Sequence, residues 1–137
     1  MARTEKKTLN IKPEEILDKL KEISGEDVYV CYQCGKCTAG CPMADNMDIM
    51  PNQIIRILQI GDFDKLLNNN AIWLCASCQT CTARCPKGVD LARIMEAIRL
   101  LLLRQNIAFI NADDIPEKDR EDIPLQGLIG AMRKYSP

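Results

Sequence analysis

The eight cysteines of this 137-residue chain fall into two copies of one spacing, Cys31-x2-Cys34-x2-Cys37-x3-Cys41-Pro42 and Cys75-x2-Cys78-x2-Cys81-x3-Cys85-Pro86. Every cysteine of the second copy lies 44 positions after its counterpart. Thiolates at this spacing, followed by proline, are the ligand pattern of cubane [4Fe–4S] clusters, whose chemistry is the transfer of electrons. Three thiolates close together on one loop reach three iron corners of a cube. The fourth, displaced along the chain and turned by the proline, reaches toward the other cube. The expected ligand sets are therefore crossed: Cys31, Cys34, Cys37 and Cys85 on one cluster, Cys75, Cys78, Cys81 and Cys41 on the other, with two [4Fe–4S] clusters in all.

Two other uses of cysteine fit less well. A disulfide scaffold belongs to small secreted chains, whereas residues 1–7 are charged, with no apolar segment of a secretory signal after them. Triplets at this spacing would also crowd disulfides into very small loops. Zinc takes four ligands, commonly as two CxxC pairs or with histidine, and the chain has no histidine. The lack of histidine excludes Rieske ligation as well. No Gly-rich nucleotide loop and no spare cysteine accompany the motifs. The chain reads as a non-catalytic carrier of electrons rather than an enzyme by itself.

Composition sets the remaining bounds. The formal net charge of −1 counts the cysteines as neutral, and two loaded clusters would bring it to about −5. No basic block marks a nucleic-acid partner. The most apolar stretch, residues 94–110, is interrupted by Glu96, Arg99, Arg104, Gln105 and Asn106. A spanning helix needs about 20 predominantly apolar residues, so no direct membrane insertion is expected. Thiolate-bound clusters imply a reducing compartment, the cytoplasm.

The elements that must position these ligands read as helices. After a polar segment over residues 1–10, Pro13 suits the first position of a helix and Glu14 and Glu15 its first turn. Ile16, Leu17, Leu20 and Ile23 form its apolar stripe, and Gly25 its stop. Val28, Tyr29 and Val30 are expected to run extended into the first loop. Pro51 opens a second helix carrying Ile54, Ile57 and Leu58 and closed by Gly61. A short helix over residues 63–67 leads to Asn68, Asn69 and Asn70, residues that tolerate left-handed backbone at a helix exit. After Cys85-Pro86, Gly88 gives a turn and Asp90 an N-cap. The helix that follows, over residues 91–105, carries Leu91, Ile94, Met95, Ile98, Leu101 and Leu102 on one stripe. This long helical linker between the motifs favours an all-α, α-helical ferredoxin domain over the βαβ-type small ferredoxin. The expected organisation is an N-terminal tail and helix (1–27), a cluster domain (28–110), and a charged linker with a C-terminal docking helix (111–137).

Several residues are open to two readings. Leu100 and Leu103 lie off the main stripe, either because the helix is buried on most sides or because that edge faces a partner. Trp73, just before Cys75, is expected to wall a cluster, and the methionines to fill gaps in the packing. Gly35 and Gly40 leave room for backbone N–H groups near cluster sulfurs, where Gln79 and Arg84 stand in the second loop, so the two clusters should differ in potential. The amphipathic stretch 125–134 carries Leu125, Leu128, Ile129 and Met132 but also Gly127 and Gly130. Each glycine weakens an isolated helix by about 1 kcal/mol, so the stretch should order only against this domain or against a partner.

The segments VCYQCGKCTAGCP (30–42), MPNQIIRILQIGD (50–62) and AIWLCASCQTCTARCPKGVDLARIMEAIR (71–99) resemble the C subunit of soluble heterodisulfide reductase. The same helical cluster domain occurs in iron–sulfur subunits of succinate dehydrogenase and fumarate reductase, and in anaerobic glycerol-3-phosphate dehydrogenase and glycolate oxidase. Those types carry further cysteines before or after the cluster domain, and here none precedes Cys31 or follows Cys85. The resemblance implies a non-catalytic electron-transfer iron–sulfur subunit of an oxidoreductase complex, placed between two partners. These are the A subunit, which contains flavin, and the B subunit, whose CCG domain reduces the disulfide. The alternatives are an independent soluble ferredoxin-type carrier and the iron–sulfur subunit of another flavoprotein dehydrogenase.

Overall fold

The computed structural model describes residues 12–137, and the polar segment 1–10 lies outside the described residues. Among the described residues there are nine α-helices, joined by three short 3-10 turns, and no strand. The all-α, α-helical ferredoxin expectation is borne out. Helix α1 (Pro13–Ser24) has proline at its start and stops at Gly25, which at φ 72° donates its N–H to the Lys21 carbonyl at 2.8 Å. A left-handed residue there closes a helix at little cost only when it lacks a Cβ.

Helices α2 (Lys36–Ala39) and α6 (Thr80–Arg84) are single turns inside the two cysteine loops, and they pack against each other. Between them run α3 (Pro51–Ile60), α4 (Phe63–Leu67) and α5 (Ala71–Leu74), followed after the second loop by α7 (Leu91–Leu103). The core forms where α7 meets α1, α5 and α6, and where α3 meets α2 and α4. Leu91, Ile94, Met95, Ile98, Leu101 and Leu102 are all buried, as their spacing predicts, and so are Ile54, Ile57 and Leu58 of α3. Each such side chain contributes about 1.5–3 kcal/mol of transfer free energy when fully buried.

Polar contacts fix the ends. Asp62 caps α4, Asp90 caps α7 by accepting from the Arg93 N–H at 3.0 Å, and Asp48 accepts from the N–H groups of Asn70 and Ala71 at the start of α5. Arg99, which interrupts the apolar sequence of α7, is buried at 6 % exposure. It donates to the Ile72 carbonyl at 2.7 Å, satisfying a backbone acceptor within the core.

Four expectations need correction. Val28–Val30 is a 3-10 turn rather than extended, because the Asp27 carboxylate accepts from the Tyr29 N–H at 2.9 Å and bends the chain. The Asn run does not turn left-handed: Asn68 and Asn70 keep negative φ. The Asn68 and Asn69 amides instead donate to carbonyls of α4, among them those of Asp64 and Leu66. Helix α7 ends at Leu103 rather than 105, since Asn106 takes φ 58° and the chain turns there. The charged linker holds a helix of its own, α8 (Glu117–Asp122), before α9 (Leu125–Tyr135). Helix α9 meets this domain through its last turn, while Leu125 and Ile129 of its first turns stay exposed. The N–H groups of Phe109 and Ile110 donate to the Tyr135 carbonyl, and Trp73, Phe109 and Tyr135 form one aromatic cluster.

Candidate metal centre

The two cysteine loops share one backbone design. Positive φ occurs at Gln33 (62°) and Gly35 (77°) in the first loop, and at Ser77 (52°) and Gln79 (60°) in the second, the same positions 44 residues on. Alternating left-handed residues turn successive N–H groups inward and form a concave anion nest of the kind found around iron–sulfur sites. One of these donors already meets sulfur, the Gln33 N–H 3.5 Å from Cys31 Sγ; past the second motif the Val89 N–H lies 3.3 Å from Cys85 Sγ. The loops then close alike, with Cys41 N–H on the Thr38 carbonyl and Cys85 N–H on that of Thr82, each at 3.1 Å.

The two threonines tie the loops to the long helices. Thr38 Oγ1 donates to Asn52 Oδ1 at 2.7 Å and accepts from the Asn52 N–H at 3.0 Å, at the start of α3. Thr82 Oγ1 donates to Asp90 Oδ1 at 2.8 Å, at the cap of α7. The repeated Cys-Thr pair in both motifs was the signal for this role, which the cysteine spacing overshadowed. Gln59 was also missed: its amide donates to the carbonyls of Val28 (2.8 Å) and Cys31 (3.0 Å) and clamps the first loop to α3. In the second loop the carbonyl equivalent to that of Cys31 belongs to Cys75, and it accepts from Lys134 Nζ at 2.8 Å. Gly40 serves a purpose beyond access for N–H groups. A Cβ there would lie 2.6–2.9 Å from the Arg84 side chain, which crosses from the other loop.

Exposure follows the repeat as well: Cys34 and Cys78 are exposed, and the other six cysteines are half-buried. The Lys36 N–H beside Cys34, and the Thr80 hydroxyl 3.4 Å from Cys78, hold both exposed thiols below the ordinary cysteine range. Burial pushes the Cys37 and Cys81 thiols up. Cluster ligands are thiolates, so binding releases these protons and couples loading to pH. Tyr32 is raised by its hydrogen bond to Cys34.

A cavity where the loops meet is lined by Cys31, Cys34, Cys37, Cys81 and Cys85, with Ile55, Val89 and Leu91 as its apolar wall. Cys41, Cys75 and Cys78 stand outside it. Among the described residues no three potential ligands converge tightly enough to hold a single metal ion. A cube takes one thiolate at each of its four irons and so asks for sulfurs set wider apart than one ion does. The donor set, all thiol with inward N–H groups, fits an anionic iron–sulfur cube. Trp73, expected to wall a cluster, is fully buried, with its ring against Phe109 and Tyr135 and not among the residues lining this cavity.

Comparison with known proteins supports this chemistry. Residues 27–89 match the family of 4Fe-4S dicluster domains. The chain is similar to the C subunit of the H2:CoB-CoM heterodisulfide, ferredoxin reductase of Methanothermobacter thermautotrophicus, at 33 % identity over 57 residues, covering 42 % of this chain and 31 % of the relative. It is also similar to the iron-sulfur C subunit of the CoB–CoM heterodisulfide reductase of Methanopyrus kandleri, at 33 % over 96 residues, covering 67 % of this chain and 50 % of the relative. The chain thus spans about 31 % to 50 % of the length of these relatives.

Proposed function

We propose that this chain, whose residues 27–89 match the 4Fe-4S dicluster domain family and which is similar to heterodisulfide reductase C subunits, transfers electrons as the relay protein of a heterodisulfide-reductase-like complex. In this reading it takes electrons from a flavin-containing partner and delivers them to a CCG-domain, disulfide-reducing partner, in the cytoplasm. The observation that carries the reading is the packing of two equivalent cysteine loops through α2 and α6, which brings ligands of both into one small volume.

Two [4Fe–4S] clusters, when bound, supply one-electron steps without proton transfer. Cys31, Cys34, Cys37 and Cys85 would hold one, and Cys75, Cys78, Cys81 and Cys41 the other. Four of the five cysteines around the cavity belong to the first set, which supports crossing. The protein's own residues do the rest. The left-handed positions aim N–H groups at sulfur, Thr38 and Thr82 hold the loops on α3 and α7, and Ile55, Val89 and Leu91 keep water from one side. Tyr32 (57 % exposed) meets the exposed Cys34, and with Tyr29 (64 %) and Val30 (47 %) just before the first loop it would offer apolar surface where an electron can enter or leave. Residues 28–110 would form the relay proper, and 111–137 the docking segment. Among the described residues no helix is long and apolar enough to cross a membrane.

The test is an anaerobic affinity purification of this chain from its native cells, with co-purifying proteins identified. Recovery with a flavoprotein and a CCG-motif protein is expected. Recovery alone, loaded with clusters, would overturn the relay reading in favour of an independent carrier.

A further inference from the structure

The two loops agree in backbone conformation, in exposure of each cysteine, and in the threonine that ties each to its helix. They differ at one carbonyl. That of Cys31 accepts from the Gln59 amide, a neutral donor, at 3.0 Å, whereas that of Cys75, 44 residues on, accepts from the Lys134 ammonium at 2.8 Å. Lys134 is half-buried, and among the described residues no carboxylate forms an ion pair with it. Tyr135 holds the same turn of α9 in place, its hydroxyl 3.4 Å from the Trp73 carbonyl and its ring beside those of Trp73 and Phe109.

We infer that Lys134 sets the two clusters apart: its ammonium, delivered by the docked end of α9, raises the reduction potential of the cluster held through Cys75. The inference rests on the reading that the eight cysteines hold two clusters. Reduction adds one electron and no proton to an already anionic site, so a cation nearby stabilises the reduced form more than the oxidised one. Other charges surround the loops. Lys36 and Lys87 lie near the first loop but are exposed and therefore screened. Arg84 lies within the second loop yet reaches over Gly40 of the first and is exposed, so it favours neither. Asp90 stands near Cys81 and opposes Lys134, but it shares its Oδ1 between the Thr82 hydroxyl and the Arg93 N–H. Lys134 is the cation whose hydrogen bond ends on the backbone of a ligand residue itself.

The experiment is an EPR-monitored redox titration of the full chain, reconstituted anaerobically, with iron content measured for each protein. The signal lost in Cys78→Ser identifies the second-loop cluster. Lys134→Gln, which keeps a donor but removes the charge, should shift that signal's midpoint to more negative potential and leave the other unmoved. Lys134→Arg should stay near the wild type. Gln59→Lys, which places an ammonium at the first loop, should raise the other signal's midpoint, and this holds even if Lys134→Gln fails to load. Unchanged midpoints in fully loaded Lys134→Gln, a shift on the wrong signal, an Arg variant shifted as far as the Gln variant, or no rise in Gln59→Lys would each overturn the inference. Iron for only one cluster in the wild type would overturn the two-cluster reading instead, and the inference with it.

Discussion

A cysteine in these loops has two duties, to present sulfur and to let the backbone turn around it, and the residues between the cysteines carry the second. Gly35 meets the left-handed position at no steric cost, but Gln79 occupies the same position at φ 60° with a Cβ. Left-handed backbone costs a non-glycine residue about 1–2 kcal/mol, offset in part by the entropy glycine loses on folding. Gln79→Gly should therefore stabilise the loaded domain by about 0.5–1 kcal/mol, measured by denaturant unfolding under anaerobic conditions. The crossed ligand sets have their own residue-level test. Cys41→Ser should perturb the cluster of the second loop, seen by EPR, and spare that of the first. Loss of the first-loop signal instead would sink the crossed arrangement.

At the scale of elements, the loops are held by the starts of α3 and α7. Asp90 is the busiest of these positions. Its carboxylate caps α7 and accepts from Thr82, while its own N–H donates to Glu26 Oε2 at 3.1 Å. Replacing an N-cap by alanine typically costs about 1 kcal/mol, and the lost Thr82 bond adds to that. Asp90→Ala is expected to lower stability by about 1–2 kcal/mol and to speed cluster loss on exposure to air, followed by the decay of visible absorbance. Helix α7 also carries much of the core. Leu102, fully buried, should cost about 2–5 kcal/mol when cut to alanine, read from the unfolding midpoint.

The whole molecule is closed by its C-terminal turn, which reaches back to the second loop through Lys134 and Tyr135 while Leu125 (70 % exposed) and Ile129 (50 %) at the other end of α9 stay in solvent. Tyr135→Ala should loosen this closure and quicken amide hydrogen exchange over residues 71–75, with little change in α1 or α3; unchanged exchange there would argue against the docked turn. Removing iron by anaerobic chelation should cost helical signal in far-ultraviolet circular dichroism. The single turns α2 and α6 are too short to persist without the cluster-bound loops around them.

Much of this protein is determined by its sequence alone. The repeat of cysteine and proline at one interval dictates the chemistry, because cube ligation needs thiolates at that spacing. The proline-to-glycine bounds of α1 and α3 and the stripes of α1, α3 and α7 dictate helices, because local backbone preference and apolar period point the same way. The corrections fall where a side chain elsewhere decides a local turn, as Asp27 does at Val28–Val30. What only the tertiary structure decided are the long-range pairs: Gln59 on the Cys31 carbonyl, Arg99 on Ile72, Arg84 over Gly40, and Lys134 on Cys75. Each joins residues between 27 and 59 positions apart. No local pattern marks such a partner, because the chain must first pack before the two groups meet.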